Sequence, residues 1–145
     1  MEQSIVHPAM PMPLRWDVAP QAWTIDDGGA LRVVAGAQTD LFVDPENTAA
    51  TLNAPRLIGS PAGDFLLSAR VTVEFAATYD AGVLVLFTDE RTWAKLCFER
   101  SPQGQPMVVS VVTRGVSDDC NSWPVDGDST WVRVARLGRA FAFHA

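Results

Sequence analysis

Cysteine is scarce in this chain, with Cys97 and Cys120 the only two among 145 residues. Two thiols cannot build a disulfide framework, and neither has a second Cys or a His nearby in sequence to suggest a metal site. A reduced, cytoplasmic protein is the reading that fits them. Long apolar runs are also missing: the longest, residues 81–87, falls far short of the roughly 20 residues that span a bilayer. The N-terminus MEQSIVHPAMPMPLRW has neither the basic start nor the apolar core of a secretory signal. Basic residues are outnumbered, 11 against 17, giving a formal charge of -6. That balance argues against nucleic acid and against an anionic membrane, because both draw affinity from clustered Lys and Arg. The two histidines, His7 and His144, lie near the ends, so no Ser-His-Asp or Cys-His arrangement is evident, and no Gly-rich phosphate loop is present. Finally, no segment carries the i, i+3, i+4, i+7 apolar stripe of a surface helix.

What remains is a succession of short β-type runs separated by Gly, Pro, Asn and Asp. The first fifteen or so residues carry three prolines, Pro8, Pro11 and Pro13, and read as an extended arm. Residues 31–34 and 40–43 are short strands, and residues 44–64 read mainly as loop. Residues 65–75 alternate most clearly, with Phe65, Leu67, Ala69, Val71, Val73 and Phe75 on one face and Leu66, Ser68, Arg70, Thr72 and Glu74 on the other. That is the period-2 pattern of an antiparallel strand with one buried face. Residues 82–88 are apolar on both faces, as expected of a central strand covered on each side. Strands over 93–99, 107–113, 131–136 and 140–143 follow, with Asp80 as a turn former before the central strand. An apolar fraction of 48% with 19% charge belongs to a globular chain, read here as one domain over 1–145. Strands at this density predict an all-β protein, a sandwich or barrel.

One strand has two sharply different faces. Across 93–99, Trp93, Lys95, Cys97 and Glu99 share one face, while Ala94, Leu96 and Phe98 share the other. The sequence therefore predicts Trp93, Lys95 and Glu99 together on an open surface. An aromatic ring, an ammonium and a carboxylate are the elements that bind sugars, through CH stacking and hydroxyl hydrogen bonds. The competing reading is a solvated Lys–Glu pair, with the indole packed under a loop. Ser117-Asp118-Asp119 reads first as a turn, then as a sugar-contacting rim, and least as a calcium site with Asp126 and Asp128. Trp123 and Trp131 flank the Asp126-Gly127-Asp128 loop, and Trp131 shares its face with Arg133. Trp16 and Trp23 read as packing residues.

The run Tyr79-Asp80-Ala81-Gly82-Val83-Leu84, then Asp89, Trp93, Lys95 and Glu99, then Ser110-Val111-Val112-Thr113 and Ser117-Asp118, resembles the domain-of-unknown-function 1349 family. Trp16, Pro20, Trp23, Thr39-Asp40-Leu41-Phe42 and Asp64-Phe65 fit the same pattern upstream. The resemblance implies a concanavalin-A-like jelly roll, a β-sandwich of two antiparallel sheets in which ligands lie on the concave sheet face. On it, Trp93 would stack, Glu99 and Lys95 would hydrogen-bond, and Asp118, Trp123, Trp131 and Arg133 would shape the rim. The family usually closes with one further hairpin, which this chain lacks where it stops at Phe143-His144-Ala145. Either another subunit covers that edge or the sequence is part of a longer protein.

Three functional readings follow. The first is non-catalytic binding of a carbohydrate or similar polar ligand, without metal or cofactor. The second is a protein-interaction domain, in which a partner chain or a second copy pairs with the open C-terminal edge. The third is a divergent glycosidase. Glucanases of this fold carry two carboxylates four residues apart on one strand, whereas Lys95, Cys97 and Glu99 supply only one here.

Overall fold

The computed structural model describes residues 3–145, and no helix occurs among them. Among the described residues thirteen strands follow one another, and every strand pair with a defined register is antiparallel. The described residues divide into two compact units, one of residues 3–42 and 49–62, the other of 43–48 and 63–145.

The first unit contains β1 (Arg15–Val18), β2 (Ala22–Ile25), β3 (Leu31–Val34), β5 (Ala50–Leu52) and β6 (Arg56–Ile58), with β4 (Leu41–Val43) at its boundary. They pair as β1 with β6, β2 with β3 and β4 with β5. The segment read as an extended arm is tied down by two backbone bonds between Ile5 and Leu14. Trp16 and Trp23 pack with ring centroids 5.8 Å apart, the packing role expected of them. Arg56 is buried on β6, where Asp17 of β1 accepts from its Nε and Nη2 at 2.9 and 2.8 Å. Residues 44–64, expected mainly as loop, thus contribute β5 and β6. Three-residue strands are too short to show a period.

The second unit is a β-sandwich. One sheet has the order β11-β10-β9-β8 and the other β13-β12-β7. These strands are β7 (Phe65–Thr72), β8 (Ala81–Asp89), β9 (Thr92–Arg100), β10 (Pro106–Arg114), β11 (Val116–Pro124), β12 (Ser129–Leu137) and β13 (Ala140–His144). β12 packs across β8 and β9, and β7 across β8. β7 shows the expected alternation, its Phe65, Leu67, Ala69 and Val71 half-buried and the residues between them exposed. Leu96, Val108 and Val132 centre the core, with Val71, Leu84, Val125 and Phe143 packed against them. Phe98 is fully buried and meets Phe75 edge-on at 5.1 Å.

Two expectations change here. β8 is an edge strand, not a central one. Its apolar character on both faces reports what lies above and below the sheet, which says nothing about who pairs with its backbone. And β11, which contains Ser117, Asp118 and Asp119, is a nine-residue strand in place of the expected turn. The turn lies one step earlier, at Gly115, whose φ of 82° suits glycine. Asp80 does form the expected turn, accepting from the Ala76 and Ala77 amides at 2.9 and 2.8 Å.

Candidate functional site

Residues directly opposite one another in an antiparallel sheet share a face, so the register assigns every candidate side chain to a surface. Trp93 lies opposite Phe87 and Thr113, Lys95 opposite Val85 and Val111, and Glu99 opposite Ala81 and Met107. All of these point away from the sandwich core, as the alternation of β9 predicts. The surface is not open, however. Trp93 is 3% exposed, Lys95 7%, and Cys97 between them is fully buried. The Lys95 ammonium lies 5.7 Å from the Trp93 ring centroid, within cation–π range.

The neighbours explain the burial. Phe87, Val85, Val111 and Val109 make this face a second apolar layer. At its Trp93 end, Ser117 Oγ accepts from the Val43 amide at 2.9 Å and bonds Thr113 Oγ1 at 2.8 Å. Val43 is itself fully buried, and Arg91 donates to Asn47 Oδ1 at 2.8 Å and to the Gly115 carbonyl at 3.1 Å. The stretch 43–48 is thereby fastened to this sheet. Trp93 Nε1 is buried with no hydrogen-bond acceptor among the described residues, a cost that close indole packing has to offset.

The remaining candidates stand elsewhere. Asp118 lies opposite Val112, and Trp123 opposite Val108, which places both on the inward face of the four-stranded sheet. β11 is the edge there, and both side chains are exposed. Val112, Arg114, Val116 and Asp118 line an open depression of about 300 Å³. Trp131 and Arg133 alternate with the buried Val132 and Val134, so they point outward from the three-stranded sheet. The seven sequence-predicted residues therefore occupy three separate surfaces and do not form one groove with a rim.

The third surface is the open one. Trp131 is 62% exposed, the most exposed of the tryptophans. Arg70 of β7 lies directly opposite it, and Arg133 lies two residues along β12, opposite Ser68 and His144. Arg133 Nε donates to Ser68 Oγ at 3.0 Å, which holds the guanidinium along the sheet and leaves its Nη groups facing solvent. Thr72 and Ser129 hydroxyls bond at 2.7 Å at one end of the patch. Sequence reasoning left Arg70 out. Its outward position on β7 was readable, but its place beside Trp131 depends on the β7–β12 register, which only the structure supplies.

A paired-carboxylate site is not assembled. Glu99 lies opposite Ala81 and Thr92 opposite Asp89, at the two ends of the β8–β9 pair. Along β8 that separation is about 26 Å at ~3.3 Å per residue, against the ~5 Å of a retaining glycosidase. Among the described residues no three His, Cys, Asp or Glu side chains converge as a metal site. Asp128 instead serves local structure, its backbone carbonyl accepting from Val73 N and its carboxylate from Ser129 Oγ.

An all-antiparallel sandwich with an exposed aromatic–guanidinium sheet face defines the class of molecule. Within that class, residues 16–145 match the family described as "Protein of unknown function (DUF1349)", and the chain belongs to it. Among solved structures it is similar to "a functionally unknown protein from Saccharomyces cerevisiae", at 22% identity and a TM-score of 0.78. The match covers 88% of this chain and 69% of that one, a likeness of fold. A comparison with curated proteins found no match.

Proposed function

We propose that the protein binds a carbohydrate or similar polar ligand without turning it over, and that the ligand lies on the outer face of the β13-β12-β7 sheet. The exposed Trp131 carries this reading. A large indole left in water on a sheet whose other face holds the core is costly surface to leave uncovered. Flanking guanidiniums supply the hydroxyl- and carboxylate-directed donors that a sugar needs beside a stacking ring. The buried state of Trp93 and Lys95 moves the expected binding face from the four-stranded sheet to this one. Titration calorimetry against a panel of oligosaccharides tests the reading. We expect a saturable heat for at least one glycan and its loss in Trp131→Ala, with Trp93→Phe binding normally. A panel with no binder, or a binder unaffected by Trp131→Ala, overturns it.

A second reading has its own observation. Among the described residues β13 pairs with β12 on one side only, and Phe141 on it is half exposed, with the Arg136 guanidinium 5.8 Å from its ring centroid. A free edge of sequence Ala-Phe-Ala-Phe-His has no Pro or Lys to block pairing. A partner strand adding there would make the domain a protein-interaction module. Cys120, an exposed free thiol, supports a reducing compartment such as the cytoplasm for either role.

A further inference from the structure

The charge around Trp131 runs against the charge of the molecule. The chain carries a formal -6, yet no outward strand position on this face is occupied by Asp or Glu. Arg70 and Arg133 both point out of it, and His144 lies opposite Arg133. Glu74 and Asp128 come only beyond the Thr72–Ser129 pair, at one end. Neither arginine forms an ion pair among the described residues. Two exposed guanidiniums on an acidic protein, held beside a bare indole with no intramolecular carboxylate, make a face complementary to negative charge.

From this we infer that the ligand is an anionic oligosaccharide whose sugar rings carry carboxylates, a uronate polymer. The inference rests on the reading of Trp131 as a sugar platform and adds the charge of the sugar. Arg70 stands across the strand pair from Trp131, about 5 Å away at Cβ, and Arg133 follows about 7 Å along β12. One pyranose stacked on the indole therefore brings its own carboxylate, or that of the next ring, within reach of a guanidinium fork. Arginine suits that task because its planar donors match a carboxylate in a bidentate pair. Arg133 is partly positioned already, since its Nε bond to Ser68 fixes the plane of the fork. A phosphate-rich nucleic acid fits less well, because two guanidiniums in a net-acidic chain neutralise few phosphates.

The experiment compares oligogalacturonate with its fully methyl-esterified form, which keeps the rings and removes the charge. Calorimetry is run on the whole chain, with polyglutamate as a charged chain lacking sugar rings. The expected result is binding of the free acid that weakens on the order of tenfold or more on esterification. Arg70→Gln and Arg133→Gln should each weaken the free acid by a larger factor than the ester, and raised salt should weaken the acid more than the ester. Equal binding of acid and ester overturns the anionic inference and leaves the sugar platform standing. Polyglutamate binding as tightly as the uronate overturns it in favour of charge alone. No binding by either sugar, or by any neutral glycan, overturns the platform and the inference with it. Ser68→Ala, which removes only the bond that orients Arg133, should weaken the acid less than Arg133→Gln does.

Discussion

Gly82 of β8 packs against Val71 of β7, and a methyl group there would lie 2.2 Å from Val71 Cγ1. Backbone permissiveness is not the issue; space is. Gly82→Ala should therefore cost about 1–3 kcal/mol by overpacking, read as a lower denaturation midpoint, and Val71→Ala in the same chain should recover part of it. Asp44 makes a different kind of residue-scale claim. Thr48 donates its hydroxyl to Asp44, and the Thr48 and Glu46 amides also bond it, holding the carboxyl below its usual 3.8 against a smaller opposing effect of burial. A lowered folded value means that this contribution is fully present above the unfolded value. It is lost as pH falls below 3.8 and through the folded value. An NMR titration should place the Asp44 midpoint below the usual value, and Thr48→Val should raise it; a midpoint unmoved by that change would refute the attribution.

At the scale of elements, legibility followed periodicity. β7 and β12 announced their inward faces because each alternates over several residues, and the structure buries those faces, whereas β9 alternates in sequence yet is buried on both faces. β11 announced none, since Ser-Asp-Asp-Cys-Asn-Ser has no apolar face to mark. It is a strand because β10 offers it hydrogen-bonding partners from Arg114 to Met107, and at the sheet edge most of its side chains can stay in water. The candidate site was legible only within a strand. Trp131 and Arg133 could be paired from their spacing, whereas Arg70 needed a register between strands far apart in sequence. Local polar ties secure the short strands. Asp17 joins β1 to the Arg56 guanidinium of β6, which also donates to the Leu52 carbonyl at 2.9 Å. Asp17→Asn should destabilise the first unit by about 1–3 kcal/mol, visible as earlier hydrogen exchange at the β1 and β6 amides. Unchanged exchange there would show the pair to be dispensable.

At the scale of the whole molecule, the all-β class was readable because turn residues punctuate short alternating runs throughout, while the choice of a sandwich over a barrel came from the family resemblance. Which sheet face is open was not readable, because a face with Trp, Lys and Glu looks alike in sequence whether water or chain covers it. The unpaired side of β13 bears on assembly. If it receives a second copy by two-fold strand pairing, sedimentation should show a concentration-dependent dimer that Ala142→Pro abolishes. A strict monomer at high concentration would remove self-pairing as a use of that edge. The spread of the tryptophans across environments has an optical consequence. Trp93, sealed in an apolar layer with its indole N–H unbonded, should emit at short wavelength and resist acrylamide. Trp131, bathed in water, should emit at long wavelength and be quenched readily. The protein thus contains two spectrally separable reporters of its own, one for the integrity of the sheet stack and one for whatever comes to rest on its outer face.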